Sequence, residues 1–246
     1  MVDEQRADSS QPACNFGAAI MPTIVFSSPK GGSSKTTSAL ILATELAGQG
    51  ATVTVIDADP NRPIVRWAKR PGKPKGLRVV DGVTENTIID VIDRAARETA
   101  FVIVDLEGTA SQMAPYAVGR ADLVLIPTQG SMLDALEAVK AVKMIQVAEK
   151  LVRHAIPAAI LVTRTSPAIQ PRTLKYVQRQ FEDAGVNVMR TQIHERDAYK
   201  AIFIFGGTLS TLDPAEVRNI ETAAANARAY TKEVLKLLKL SDKAAA

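Results

Sequence analysis

The chain has 246 residues, and 46% of them are hydrophobic, which is enough to form the core of one sizeable α/β domain. Its single cysteine, Cys14, excludes an internal disulfide and a cysteine-based metal site, and it fits a reducing, cytoplasmic environment. The net charge of +4 is mild, and no apolar run reaches the ~18 residues that a transmembrane helix requires.

Basic residues are concentrated in two stretches of the sequence. Residues 61–80 contain lysines and arginines but no acid, and residues 140–180 contain many basic residues against Glu149 alone. Clusters of this kind fit a polyanionic partner such as DNA. The alternative is that they are ordinary solvated faces of helices.

The N-terminal stretch differs in character from the rest of the chain. Residues 1–20 are polar and show no hydrophobic period, which predicts a flexible tail. The acidic start at Asp3 and Glu4 argues against a signal peptide. We therefore expect one folded domain that comprises residues 21–246.

A glycine-rich loop between a strand and a helix is the first chemical feature of this domain. The run Thr23–Ser28 is typical of a buried strand, and a helical pattern over about residues 36–48 follows a turn. Gly31 and Gly32 allow backbone N–H groups to surround an anion at the start of the helix. Lys35 supplies a positive charge for nucleotide phosphates, and the Thr36 hydroxyl is placed to bind Mg²⁺.

Two further strands of the predicted sheet end in carboxylates. One runs from Thr52 to Asp57 and is followed by Asp59, and the other runs from Phe101 to Asp105. Because ligands of open α/β sheets bind at the carboxyl ends of the strands, we expect these acids to face the glycine-rich loop. Asp105 stands where a Walker B carboxylate holds a water molecule on Mg²⁺. An acidic turn at the strand end is the alternative for Asp57 and Asp59.

The sequence around the loop resembles the deviant Walker A motif of the ParA/MinD family of ATPases. The residues that carry the resemblance are Lys30, Gly31, Gly32, Lys35, Thr36 and Thr37, together with the later Asp57, Asp59 and Pro60. The chain departs from the ordinary P-loop pattern at Pro29 and Ser34, which replace its two glycines. Ser34 is mildly strained if the loop requires a positive φ there. After Asp105 the family often has Pro-Pro or Gly-Pro, and we interpret Glu107 as part of a surface turn rather than as a second ligand.

The resemblance implies a role for each residue of these motifs. It implies a nucleotide cradle formed by Lys30, Gly31, Gly32, Ser33, Ser34, Lys35, Thr36 and Thr37, and a Mg²⁺ site formed by Thr36, Asp57 and Asp105. It also implies that Lys30 reaches into the nucleotide site of a second subunit in an ATP-bound dimer, and that Asp59 positions the attacking water. Lys30, Lys35 and Asp59 are therefore the implied catalytic residues.

The segment after the second motif is more specific than the family at large. It resembles the VirC-type proteins of T-DNA transfer and the plasmid partition proteins close to them, through Asn61, Arg62, Pro63, Arg66 and Trp67. Arg62 and Arg66 lie one helical turn apart. We expect Trp67 to pack on the body of the domain rather than on a nucleic-acid base.

The remaining hydrophobic patterns predict alternating strands and helices. The predicted strands are Leu77–Asp81, Asp122–Thr128, Pro157–Thr163 and Val186–Ile193, and the predicted helices are Thr84–Glu98, Met132–His154, Pro171–Asp183 and Pro214–Leu240. The resemblance implies a single P-loop NTPase domain of the α/β class, with a mostly parallel, twisted sheet and helices on both faces. Thr163–Thr165 match weakly the segment that approaches the adenine in relatives, and we interpret His194 as a hydrogen-bonding rather than a catalytic residue.

The function that the resemblance implies is a slow, partner-stimulated ATPase that uses ATP and Mg²⁺. It would form a homodimer with ATP, bind DNA non-specifically on the nucleoid, respond to a ParB-like partner and drive plasmid or chromosome partition. A DNA-transfer accessory protein that binds a specific site is an alternative, as are a MinD-like membrane-positioning ATPase and an ATP-dependent ligase. The membrane alternative requires Val234–Leu240 as an anchor, whereas we expect this segment to dock on the body. The missing cluster cysteines exclude a nitrogenase iron protein.

Overall fold

The computed structural model describes residues 21–107, 112–166, 179, 181–182 and 186–245. The predicted tail, residues 1–20, lies outside the described residues, and so does most of the predicted helix Pro171–Asp183.

An eight-stranded parallel sheet forms the centre of the domain. Its strands are β1 (Thr23–Phe26), β2 (Val53–Ala58), β3 (Leu77–Val80), β4 (Phe101–Leu106), β5 (Leu123–Thr128), β6 (Ala158–Thr165), β7 (Asn187–Val188) and β8 (Ile193–His194). The order is β3-β2-β4-β1-β5-β6-β7, and β8 pairs with β6. The strands β1, β2 and β5 are buried at every position, as expected of parallel strands covered on both faces. The predicted fold class is confirmed.

Helices cover both faces of the sheet and build a separate hydrophobic core on each. One core contains α1 (Lys35–Gly48), α2 (Pro63–Ala68), α6 (Asp197–Phe205) and α7 (Ile220–Ala245). The other contains α3 (Ile88–Glu98), α4 (Ala114–Val118) and α5 (Met132–Val152). Successive side chains of a strand point into opposite cores. In β1, Ile24 and Phe26 face α1, while Val25 faces the other side of the sheet.

The prediction of one strand over Val186–Ile193 is wrong. The structure has two separate strands there, β7 and β8, of two residues each. Between them, Glu233 of α7 accepts hydrogen bonds from the backbone N–H groups of Arg190 and Thr191, at 2.8 and 2.7 Å. These donors are therefore satisfied by a side chain rather than by a neighbouring strand, and the extended segment leaves the sheet.

The C-terminal helix begins later than predicted, at Ile220 rather than at Pro214. Asp213 holds the preceding segment in a turn, because its carboxylate accepts the N–H of Ala215 at 2.8 Å and its carbonyl accepts that of Val217 at 3.0 Å. Asn219, with φ 58°, is the last residue before the helix.

The end of α7 docks on the body of the domain, as expected. Val234 and Leu238 are buried in the same core as α1, and Leu235 and Leu237 pack against that core. The segment is therefore not an exposed apolar face. Among the described helices, none combines the length and the apolar character needed to cross a membrane.

Trp67 also packs on the body, as expected, and links α2 to the end of α6. Its side chain is buried, and its indole N–H donates to the carbonyl of Gly207 at 3.0 Å. The backbones come so close here that a Cβ added to Gly206 would lie 2.6 Å from the Cβ of Arg70. Gly206 also has a φ of 84°, which favours glycine. This contact fixes the position of α2, which follows Asp59.

Candidate functional site

The loop between β1 and α1 has the open geometry of a phosphate cradle. Gly32 and Ser34 adopt left-handed backbone conformations, with φ of 76° and 67°. The positive φ at Ser34 confirms that this serine holds a strained conformation which glycine would adopt freely. A Cβ added to Gly31 or Gly32 would meet no protein atom within 4 Å, so the space beside these glycines is empty of protein. The loop ends at the N-terminus of α1, where the helix dipole favours an anion.

Lys35 is buried at the base of this cradle, with 6% of its surface exposed. Its ammonium group donates to the carbonyls of Ser28 and Lys30, at 3.3 and 3.2 Å. Burial lowers the pKa of Lys35, while the negative charges of Asp105 and Asp59 act in the opposite direction. The structure therefore brings the predicted lysine and two of the predicted carboxylates into one electrostatic site.

Asp105 is a fully buried carboxylate at the carboxyl end of β4. Burial raises the pKa of Asp105 to about 7, although the Thr36 hydroxyl and the charge of Lys35 lower it. Neither of its oxygens receives a hydrogen bond of ordinary geometry from the described residues. A buried carboxylate that accepts no such hydrogen bond from the described residues, next to a threonine hydroxyl, suits a hydrated Mg²⁺ because that ion requires oxygen ligands and retains water.

Asp57 divides its two oxygens between a structural task and the site. Its Oδ2 accepts the backbone N–H groups of Ile64 and Val65, both at 2.9 Å, and so holds the first turn of α2. Its Oδ1 is buried without a hydrogen bond from the described residues. Burial raises the pKa of Asp57, while the bonds from α2 lower it. Only Oδ1 is therefore available for the predicted metal role.

Asp59 lies in the turn that joins β2 to α2. Its carboxylate accepts the N–H of Asn61 at 2.8 Å, and its carbonyl accepts that of Arg62 at 2.9 Å. This turn orients the side chain, and the charge of Asp59 acts on both Lys35 and Asp105. The position next to the buried acids suits a group that contacts a water at the nucleotide.

Lys30 makes a contact that the sequence did not predict. Its ammonium group lies 2.5 Å from Oδ1 of Asp134, in the first turn of α5 of the same chain. Asp134 is 5% exposed and Lys30 is 44% exposed. The Ser131 hydroxyl bonds the other carboxylate oxygen of Asp134. The spacing Ser131-x-x-Asp134 could have indicated a helix start, but nothing in the sequence connects Asp134 to Lys30.

The ends of β5 and β6 brace the loop through residues that we had not assigned to it. Gln129 donates to the carbonyl of Gly32 at 3.1 Å, and the Thr163 hydroxyl donates to that of Ser33 at 3.0 Å. Arg164 donates from Nε to the Ser34 hydroxyl at 3.2 Å. Arg164 has a φ of 53° and lies at an irregularity in the pairing of β6 with β8. The segment that we had matched to an adenine contact therefore touches the loop itself.

His194 is held by a hydrogen bond, consistent with the non-catalytic interpretation. Its Nδ1 lies 2.8 Å from the Thr165 hydroxyl, and burial and the charge of Arg196 lower the pKa of His194. The described residues contain no group of three or more His, Cys, Asp or Glu side chains suited to a metal.

Known proteins match nearly the whole described domain. The family model for the VirC1 protein matches residues 21–242. The chain is 37% identical over 218 residues to Protein ParA of Rhizobium radiobacter, an alignment that covers 89% of this chain and 98% of that protein. It is 32% identical over 191 residues to Protein virC1 of Rhizobium rhizogenes, with 74% and 80% of the two chains covered.

Solved structures share the fold. The ATP complex of a McdA variant from Cyanothece superposes with a TM-score of 0.69 at 18% identity, covering 87% of this chain and 96% of that one. The cell division ATPase MinD of Pyrococcus furiosus superposes with a TM-score of 0.68 at 17% identity, covering 88% and 99%. The solved structures show the shared fold, and the family match with the 37% identity to Protein ParA shows that the chain belongs to the VirC1 family of ParA-type NTPases.

Proposed function

We propose that this protein is an ATP- and Mg²⁺-dependent switch that dimerises around ATP, binds DNA without sequence preference and acts in DNA partition. The observation that carries the proposal is the buried group of Lys35 and Asp105 beside an open glycine loop. Such a group binds the phosphates and the hydrated metal ion of a nucleotide and stabilises the charge that develops during hydrolysis. The 37% identity to Protein ParA supports the part of this proposal that concerns a partition-type ATPase.

In this proposal the site residues form a phosphate cradle, a metal site and a group that positions water, and Thr36 belongs to both the cradle and the metal site. Lys30, Gly31, Gly32, Ser33, Ser34, Lys35, Thr36 and Thr37 form the cradle, and Thr36 and Asp105 hold Mg²⁺ with help from Oδ1 of Asp57. Asp59 positions the water that attacks the terminal phosphate. The metal ion supplies charge neutralisation at the phosphates.

Dimerisation is supported by the exposed apolar side chains near the loop. Leu136 of α5 is 56% exposed and borders a shallow pocket with Pro29, Lys30 and Gly31. Val139, Val147 and Leu151 are exposed further along the same helix. The exposed Lys140 and Lys143 lie on the same side of the helix, and this mixed apolar and basic face is next to the lysine that would act in trans. Its apolar side chains suit contact with a second copy of the chain. Lys30 must leave Asp134 to make that contact.

The VirC1 match supports a second candidate, a DNA-transfer accessory ATPase that binds a specific site. Both candidates share the nucleotide site, and they differ in how DNA is recognised. The membrane-positioning alternative has less support, because its anchor segment is docked on the domain core.

The test is to measure binding of several unrelated DNA duplexes by fluorescence anisotropy, with ATP, with ADP and without nucleotide, at two salt concentrations. ATP-dependent, salt-sensitive binding to every duplex is the expected result. Preference for one duplex would favour the transfer candidate. Absence of binding to every duplex would contradict the DNA-binding part of the proposal.

A further inference from the structure

A basic groove of about 910 Å³ lies between β7 and α7, apart from the nucleotide site. We call it the α7 groove. Its cationic lining consists of Arg190, which follows β7, and Arg228, Lys232, Lys236 and Lys239 on α7. Neither of the basic stretches found in the sequence includes these residues.

The four cations of α7 form a row. Arg228, Lys232, Lys236 and Lys239 are all exposed, and they are separated by four, four and three residues. At this spacing successive side chains lie on the same side of a helix. With a rise of about 1.5 Å per residue, the row is roughly 16 Å long. Arg190 adds a fifth cation on the opposite wall.

The charge of this row is largely uncompensated. The acid in the groove lining is Glu233, and both of its oxygens already accept backbone N–H groups, from Arg190 and Thr191. Glu45 of α1 faces Arg228, and that arginine lowers the pKa of Glu45, which burial raises. Lys232, Lys236 and Lys239 form no ion pair with any residue in the described part of the chain.

The basic stretch at residues 61–80 is more neutralised by comparison. Arg62 pairs with Asp81 at 3.2 Å, and Arg78 pairs with Glu98 at 2.6 Å. The Lys73 ammonium group donates to the carbonyl of Leu77 at 2.6 Å. Several of these cations therefore bind their own chain, so this stretch offers less charge to a partner than its composition suggests.

We propose that the α7 groove is where the protein binds the sugar-phosphate backbone of DNA. The inference rests on the proposed DNA binding and names the surface that performs it. A row of lysines on one helix face contacts phosphates through point charges, which carry no sequence information. The groove therefore suits binding that is independent of sequence and strongly dependent on salt.

The test compares two variants that lose the same charge. Lys232→Gln/Lys236→Gln removes two cations from the groove. Lys69→Gln/Lys75→Gln removes two exposed cations from the other basic stretch and serves as the control. Binding of two unrelated duplexes is measured with ATP across a salt series. Thermal unfolding and ATP binding establish that both variants fold and retain the nucleotide site.

We expect the groove variant to bind both duplexes at least about tenfold more weakly than the wild type. The slope of the logarithm of its binding constant against the logarithm of the salt concentration should be smaller by about 2. The control should match the wild type in both quantities. Wild-type affinity in the groove variant would overturn this inference and leave the proposed function intact. Equal losses in the two variants would also overturn it, because binding would then be spread over the surface. If the wild type binds no duplex, the proposed function itself fails. If it binds vesicles of anionic phospholipid instead and the groove variant does not, the ligand is a membrane.

Discussion

Lys35 is a cation that the fold places in a poorly solvated position beside buried carboxylates. Two backbone carbonyls accept hydrogen bonds from its ammonium group, so this group is oriented before any ligand arrives. Preorganised charge of this kind needs little rearrangement when phosphates bind. The burial that lowers the pKa of Lys35 also strengthens its attraction for an anion, since little water screens it.

The first prediction concerns this lysine. Lys35→Ala should reduce ATP affinity by at least about a hundredfold, because it removes a buried charge at the phosphates. Isothermal titration calorimetry with MgATP measures the effect. Lys69→Ala is the matched control, since Lys69 is exposed and lies outside the cradle. If Lys35→Ala binds MgATP as tightly as the wild type does, Lys35 is not the lysine that binds the phosphates.

The second prediction concerns the Lys30–Asp134 ion pair. Burial alone would raise the pKa of Asp134, but bonds from Lys30 and Ser131 outweigh it and lower that pKa below its ordinary 3.8. A carboxyl with a lowered pKa stabilises the folded state above the unfolded pKa, and this contribution is lost as the pH falls through the folded pKa. Asp134→Asn should therefore reduce the free energy of unfolding by about 1 kcal/mol at neutral pH, a value discounted for the half-exposed lysine.

Urea unfolding at about pH 7 and about pH 3 tests this prediction. The difference between the wild type and Asp134→Asn should shrink at the lower pH, because Asp134 of the unfolded wild type is protonated below its ordinary pKa of 3.8. Glu137→Gln provides the control, because Glu137 pairs with Lys140 on the exposed side of α5. If the difference in the free energy of unfolding between the two proteins is the same at both pH values, the charge of Asp134 does not contribute to stability through this ion pair.

At the scale of elements, the third prediction concerns the packing of α2 against the end of α6. Gly206→Ala forces a Cβ to within 2.6 Å of another Cβ, at a φ of 84°. We expect a loss of about 2–4 kcal/mol in the free energy of unfolding, from overpacking and backbone strain together. Gly48→Ala is the control, since a Cβ there meets nothing within 4 Å and the residue is helical. It should be neutral or stabilising by up to about 1 kcal/mol. Equal stability of the two variants would contradict the close approach.

The sequence predicted most elements because their physical determinants are local. Strands β1, β2, β4 and β5 are short β-branched runs, and α3 carries an apolar face at helical spacing. The errors occur where a side chain accepts backbone N–H groups and keeps them out of a strand or a helix. Glu233 ends the extended segment after β7, and Asp213 delays the start of the last helix.

The same distinction applies to the site. The residues of the proposed phosphate cradle were predictable, because the glycine loop with its lysine and the strand-end acids each form a contiguous motif. Gln129, Asp134 and Arg164 were not, since their contacts with the loop connect residues about 100 or more positions apart. The capping task of Asp57 was hidden for another reason. A carboxylate at a strand end indicates a metal or phosphate site in the sequence. Only the fold shows that one oxygen of Asp57 accepts a hydrogen bond from the first turn of α2.

At the scale of the whole molecule, the proposed dimer makes the fourth prediction. Asp59→Ala should bind ATP and accumulate as a dimer without hydrolysis, because it removes the group that positions the water and leaves the cradle intact. Lys30→Ala should bind ATP but remain a monomer. Light scattering after size exclusion, combined with phosphate release, distinguishes them. If Asp59→Ala hydrolyses ATP at the wild-type rate, Asp59 does not position the attacking water. If Lys30→Ala forms a dimer with ATP, Lys30 is not required in the nucleotide site of the second subunit.

The ion pair between Lys30 and Asp134 has a quantitative consequence for such a dimer. A lysine that is bound within its own chain is available to a second chain only in the fraction of molecules where that pair is open. Both lysines of the dimer must leave their pairs, so if each pair contributes about 1 kcal/mol, dimerisation requires roughly thirty times more protein than it would without the pairs. The amount of protein at which the switch operates is therefore set partly by Asp134, outside the phosphate cradle. A substitution of this one acid would change the protein concentration at which the dimer forms without altering the chemistry of hydrolysis.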